Sequence, residues 1–489
     1  MTASPLDTLV TSLKDLTDEL SATLPFDKLK TSFKLPGKLR FTWPSFRLGN
    51  LEAKTPVVQG GMGVGISLSG LAAAVADAGG IGVIAANGIG LLEKDYYSDG
   101  RAANLRALRR EIRSAREKSD GIIGVNIMVA LNDFHQLLEV AIEEKVDVIF
   151  MGAGLPIKGL PVEAMRTAGV KAVPIVSSVR ATDMIFRMWK KIYGDVPDGV
   201  VFEGPLAGGH LGFSKDQLDD PEVQLEAVVP DVVEALKPFE AEFSRKIPVI
   251  AGGGVYTGAD IEAALELGAD AVQMGTRFVA TDECDADRAF KQAYVDATED
   301  EIGLIDSPVG MPGRAIRNEF IESSEAGNRP EFRCAWQCLA SCKAGAAKYC
   351  ISVALNNARK GRMKQGFVFA GTNAARVNAI VPVTELMGEL AEGFRVAARE
   401  RVASRLQQMT AGIAALRESY NTVWARAGEL RERYEKALDT RIRSAGDAGV
   451  EAIQQQYEET LARLRNLQFQ IANTLADSWA VVRSAAASS

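Results

Sequence analysis

Between residues 51 and 330, short apolar runs alternate with longer stretches in which apolar residues return at helical spacing. The runs are residues 57–60, 81–85, 122–127, 146–151, 172–176, 200–203, 248–251 and 271–275. They are rich in β-branched residues and nearly continuous in apolar character, as parallel strands buried on both faces are. Most end in, or run straight into, Gly, Ser, Asn or Glu. Eight such βα units predict an α/β fold, a (β/α)8 TIM barrel, with the functional residues at the C-terminal strand ends. An open doubly wound sheet is the other arrangement of this pattern and usually has fewer strands.

The flanks read differently. In residues 1–50, Leu6, Leu9, Val10, Leu13, Leu16 and Leu20 predict an amphipathic helix. Pro25, Pro36 and Pro44 then break a basic segment into extended pieces. Residues 331–383 hold a cysteine cluster and a glycine-punctuated segment. Residues 384–489 turn helical and charged, a C-terminal helical extension begun by Leu386, Leu390, Phe394 and Ala397. Leu430, Tyr434 and Leu438, then Tyr457, Leu461, Leu464 and Leu467, continue it, and Gly446, Asp447 and Gly449 predict a turn between two long helices. Long amphipathic helices need a surface to cover their apolar face. Packing within the chain together with the helix at 5–24, homo-oligomerisation, and docking of a different protein are the three ways to supply one.

Composition narrows the function classes. Apolar residues make up 47% of the 489, and the net charge is −7 with both signs dispersed. Nothing there calls for nucleic acid or an anionic membrane. Asp7, Lys14, Asp15, Asp18 and Glu19 interrupt any secretory h-region, so no signal peptide is expected. Residues 70–92 are the most membrane-like, but Asp77, Gly79 and Gly80 predict a helix followed by a strand rather than a membrane span. All five cysteines lie beyond residue 283, which points away from a disulfide scaffold and towards the cytoplasm.

Candidate chemistry gathers at the strand ends. Gly60, Gly61 and Met62 follow the first run, where missing side chains let backbone lie against a flat ligand. Asn126, near the end of the third, offers both donor and acceptor. Gly253 and Gly254 follow the seventh run, and Gly275 and Thr276 the eighth. Exposed amides there are the usual phosphate cradle of a barrel. After the sixth run stands Glu203-Gly-Pro-Leu-Ala-Gly208-Gly209-His210. Of the chain's two histidines, His135 sits at a predicted helix start and reads as a cap or surface residue. His210 sits in a glycine-rich loop at the catalytic end, where an imidazole can move a proton near neutral pH.

Together, PVVQGGMG at 56–63, GGIGV at 79–83, GVNIM at 124–128, GAG at 152–154, AGGHLG at 207–212, PVIAGGG at 248–254 and GADAVQMGTRF at 268–278 resemble the nitronate monooxygenase family. That family includes FMN-dependent enoyl-ACP reductases. The resemblance implies an FMN-binding barrel, with Gly61, Met62 and Asn126 near the flavin and Gln273 on the ribityl-phosphate side. It places Gly253, Gly254, Gly275 and Thr276 around the phosphate, with Gly60, Glu203, Gly208 and Gly209 completing the cofactor site. His210 matches the active-site histidine. The wording around Gly61 and Asn126 is closer to the enoyl reductases, which implies NAD(P)H-dependent reduction of an enoyl thioester. Nitronate oxidation with O2 is the alternative, and a flavin-binding scaffold acting through its helices is a third. Relatives commonly carry a glutamate where this chain has Leu206, so a carboxylate is expected to be missing there.

Beyond the barrel, Cys334, Cys338, Cys342 and Cys350 fall within one short stretch. Four thiolates can complete a [4Fe–4S] cluster or, less expectedly, a zinc site; buried packing as small hydrophobes is the alternative. On a continuous helix the first three would form one stripe. Residues 366–379 then read as a segment packed over the barrel mouth or as a lid, with Asn373 and Arg376 as candidate ligand contacts.

Overall fold

Each of the eight apolar runs is a strand in the computed structural model, which describes residues 5–23, 41–343, 345–441 and 448–487. In chain order they are β1 (Val57–Gln59), β2 (Ile81–Ala85), β3 (Ile122–Met128), β4 (Val148–Gly152), β5 (Lys171–Val176), β6 (Val200–Glu203), β7 (Val249–Gly252) and β8 (Ala271–Met274). Neighbours pair in parallel, and β8 pairs back onto β1 with Val272 opposite Val57, closing the sheet. The expected (β/α)8 barrel is the fold. The stretch at 70–92 is helix Ser69–Asp77 followed by β2. Among the described residues no helix is long and apolar enough to cross a membrane.

The alternation of strand side chains fills the barrel. Val58, Ile81, Val83, Val148, Phe150, Val173, Val201 and Ile250 form one buried cluster. Phe46, Leu48 and Ala53 join it from a hairpin of Phe46–Leu48 with Leu51–Ala53. Leu48 reaches Gly199, just before β6, so the hairpin stoppers the N-terminal mouth. Three aspartates fix strand starts at that end. Asp147, Asp198 and Asp270 accept the N–H groups of Ile123, Ala172 and Val249 at 2.7, 2.8 and 2.9 Å. Asp99, Ser178 and Thr257 cap the helices Gly100–Lys118, Val179–Tyr193 and Gly258–Glu266, each cap worth about 1 kcal/mol. A plugged bottom and capped helices leave the C-terminal strand ends as the open face.

A second sheet lies beyond β8. Ile302–Asp306 pairs antiparallel with Pro312–Ile316, which also pairs with Val368–Phe369. The same strand pairs with Gly209–His210, so the loop after β6 is stitched into this sheet.

The chain divides into two compact units, residues 43–394 and residues 1–42 with 395–489. Helix Val383–Arg441 contributes to both. In the helical unit, Leu6, Val10, Leu13 and Leu20 of helix Pro5–Thr23 share a core with Leu406, Ile413, Leu464, Ile471, Leu475 and Trp479. Trp479 Nε1 donates to Thr17 Oγ1 at 3.0 Å. The amphipathic N-terminal helix thus packs with the two long C-terminal ones. Pro25, Pro36 and the turn residues Gly446 and Asp447 lie outside the described residues; Gly449 lies within helix Ala448–Ala487.

Candidate active site

A cavity of about 510 Å³ opens at the C-terminal ends of the barrel strands. Every predicted cofactor residue lines it: Gly60, Gly61, Met62, Asn126, Glu203, Gly208, Gly209, Gly253, Gly254, Gln273, Gly275 and Thr276, together with His210. They come from β1, β3, β6, β7 and β8 and the loops that follow, as barrel geometry requires.

One wall is bare backbone. A Cβ on Gly61 would lie 2.3 Å from Asn126 Cβ, so no side chain fits. Gln59 is fully buried and accepts the Val83 N–H at 2.9 Å, tying the end of β1 to β2 just before the glycines. Gly253 and Gly254 have φ of +87° and +108°, a backbone that other residues rarely adopt. A Cβ on Gly253 would also strike Gly204 O at 2.6 Å. The wall can therefore take a flat ring and, at the β7–β8 end, a group that wants backbone N–H donors. The lining also has apolar side chains: Met128, Leu155, Ile175, Met311, Leu339 and Leu355.

His210 is held from three sides. Its backbone pairs with Gly313, its ring lies edge-on to Phe369 at 5.1 Å, and its Nε2 shares a 2.7 Å hydrogen bond with Ser307 Oγ. The loop leading to it is clamped by Arg314, whose Nη1 donates to Pro205 O and Ala207 O, both at 2.6 Å. Gly208 must be glycine because a Cβ would lie 2.4 Å from Ala370 C. Burial lowers the His210 pKa to about 4, so the ring is neutral at neutral pH. Burial pushes the Glu203 carboxyl the other way, up to about 7. The position at Leu206 carries no carboxylate, as expected, but Glu203 brings one to the same cavity.

Ser307, Arg314 and Tyr294 are site residues that sequence reading misses, and Phe369 is one it covers only as part of residues 366–379. Tyr294 Oη donates to Phe369 O and lines the cavity, and burial raises its pKa. No local motif marks them; only the pairing of distant strands brings them to His210. His135 is exposed near the start of helix Phe134–Glu143.

The cysteine segment is corrected by the structure. The described residues of 331–350 are turns and irregular backbone, not a helix, and Ile351 begins the next helix, so the stripe that a continuous helix would make does not form. Among the described residues no three His, Cys, Asp or Glu side chains form a group that could hold a metal. The [4Fe–4S] and zinc readings of Cys334, Cys338, Cys342 and Cys350 therefore find no support. Burial raises the Cys338 thiol to about 11, and its Sγ lies 3.9 Å from Ser352 Oγ. Leu339 bridges to Leu131, and Leu339, Ile351 and Ser352 line the cavity. The segment serves as cavity wall. Residues 366–379 also pack at the mouth, where Gly371 and Asn373 line the cavity.

A closed barrel with a side-chain-free wall and two titratable groups at its strand ends has the frame of a cofactor-dependent barrel enzyme. Residues 45–393 match the nitronate monooxygenase family, and the chain belongs to it. It is an oxidoreductase of that flavin-dependent family. A Mycobacterium tuberculosis protein named (3aS,4S,5R,7aS)-5-hydroxy-7a-methyl-1-oxo-octahydro-1H-indene-4-carboxyl-CoA dehydrogenase is 30% identical over 274 residues, which is 56% of this chain and 66% of that protein. A probable nitronate monooxygenase from Staphylococcus saprophyticus is 27% identical over 310 residues, 56% of this chain and 78% of that one. Among solved structures, FabK from Thermotoga maritima is 30% identical with a TM-score of 0.55, covering 71% of this chain and 95% of its own.

Proposed function

We propose that the chain binds FMN and uses NAD(P)H to reduce the activated double bond of an enoyl thioester. The observation that carries this reading is one cavity lined both by glycines that leave room for a flat ring and by apolar side chains that suit an acyl chain. The similarity to FabK and to a carboxyl-CoA dehydrogenase supports a thioester rather than a small nitro compound.

When bound, the flavin supplies hydride transfer between nicotinamide and substrate. The chain's own residues do the rest. Gly60, Gly61 and Met62 would bound the ring's place, with Asn126 as its polar contact and Gln273 on the ribityl-phosphate side. Gly253, Gly254, Gly275 and Thr276 would hold the phosphate. With Nε2 engaged by Ser307, Nδ1 is the His210 nitrogen left to meet a ligand. A ring with its pKa near 4 is a weak base, so His210 orients and hydrogen-bonds. Glu203, half-protonated near pH 7, gives the proton that accompanies hydride. Apolar Leu339, Ile351 and Leu355 keep water from the acyl end.

Anaerobic stopped-flow tests the reading. Bleaching of the flavin by NAD(P)H followed by reoxidation by an enoyl thioester is expected. Bleaching by a nitronate, with no response to either nicotinamide, would replace it with nitronate oxidation.

A further inference from the structure

The glycine cradle at the ends of β7 and β8 offers backbone donors but no positive charge. A phosphomonoester carries nearly two negative charges at neutral pH, and a charge-assisted contact is the strongest way to hold one. The nearest guanidinium on β8's own loop, Arg277, is committed to Glu389, with N–O distances of 2.6 and 3.1 Å.

A second arginine, Arg376, is exposed and is tied to the cradle through one amide. The segment after Val368–Phe369 lies across it: Thr372 N–H donates to Leu206 O at 3.2 Å, and a Cβ on Gly371 would lie 3.1 Å from Thr276 Oγ1. Asn373 Nδ2 donates to Gly254 O at 2.7 Å, tying the segment directly to a cradle residue. The same amide's Oδ1 accepts from Arg376 Nη1 at 3.1 Å. Arg376 is stacked over Tyr256, its Cζ 4.3 Å from the ring centroid, and Arg277 lies 4.7 Å from the same centroid. Tyr256 itself is buried. Among the described residues no carboxylate forms an ion pair with Arg376, and its remaining guanidinium nitrogens are open to solvent.

We propose that Arg376 is the phosphate-recognition residue of the cofactor subsite, the guanidinium that pairs with the terminal phosphomonoester of FMN. Asn373 and Tyr256 are its positioning residues: one fixes Nη1 relative to Gly254, the other holds the plane. This inference rests on the FMN reading above. It gives residues 366–379 a binding role in addition to closing the mouth. An arginine suits the task because its planar fork keeps free donors after one is spent on Asn373.

The test is flavin affinity, read by fluorescence on protein stripped of flavin and titrated with FMN or riboflavin, which differ only in the phosphate. Arg376→Gln is expected to weaken FMN binding about tenfold or more and leave riboflavin binding unchanged. Arg376→Lys is expected to keep part of the preference for FMN, as a point charge does. Added salt should weaken FMN binding to the wild type more than to Arg376→Gln. Equal FMN affinity in wild type and Arg376→Gln overturns the proposal. So does a rise in KM for a phosphorylated co-substrate with FMN affinity intact, which would assign the guanidinium to that co-substrate's phosphate. Parallel loss of riboflavin binding would mark a merely structural role and also overturn it. A wild type that binds neither flavin would sink the FMN reading itself, and the proposal with it.

Discussion

Glu203 and His210 face one cavity, and burial shifts them in opposite senses with opposite consequences for pH. Glu203 rises from 4.5 to about 7, so the folded protein keeps a proton that the unfolded chain has lost. The stability this gives is full below 4.5 and is lost as pH rises through about 7. His210 falls from 6.5 to about 4, so its contribution is present above 6.5 and is lost as pH falls through about 4. Between those limits the two slopes oppose each other, and removing one group exposes the other. Glu203→Gln should therefore gain melting temperature relative to wild type as pH is raised from about 5 to about 8. Its turnover should also lose the descending limb near pH 7. A wild-type profile flat through neutrality would remove Glu203 as proton donor. Ser307 acts through the histidine. Ser307→Ala should lower kcat by about ten- to a hundredfold while FMN affinity stays unchanged, because the ring loses the bond that orients it. Equal loss of flavin affinity would place Ser307 in the cofactor site instead.

At the scale of elements, the loop after β6 that carries His210 depends on a sheet assembled from distant parts of the chain. Arg314 sits on that sheet, is 8% exposed, and spends one nitrogen on two loop carbonyls. Arg314→Met would leave both carbonyls without their donor. A loss of about 2–4 kcal/mol in stability is expected, with turnover falling further than flavin binding. Urea unfolding and flavin titration measured side by side check this; a variant as stable as wild type contradicts the clamp. The barrel strands were legible because β-branched runs such as 81–85 and 122–127 are a local pattern. The glycine cradle was legible because it follows those runs directly. The second sheet was not, because its strands carry Gly303, Pro312 and Gly313, and Pro312–Ile316 pairs with Gly209–His210 about a hundred positions away and with Val368–Phe369 about fifty away. The cysteines misled for a related reason. Spacing of four suggests one helical face, but Asn132 and Ala130 pin residues 338–340 in extended backbone, a contact that no spacing reveals.

At the scale of the whole molecule, the barrel and the helical unit have separate cores. No buried residue of the cluster inside the barrel recurs in the cluster that joins Leu13, Ile413 and Trp479. The residues that line the cavity all belong to the unit spanning 43–394, and Trp479 to the other. Trp479 is 1% exposed, and its indole bonds Thr17 across the helical core. Trp479→Ala should cost that unit about 3–5 kcal/mol. Hydrogen exchange should then quicken across residues 402–482, with flavin affinity and exchange in β1–β8 unchanged. The converse variant, Gly61→Ala, places a Cβ against Asn126 and should abolish flavin binding without altering exchange in the helices. If either substitution quickens exchange in both units together, the two cores unfold as one. The helices would then be part of the barrel's stability.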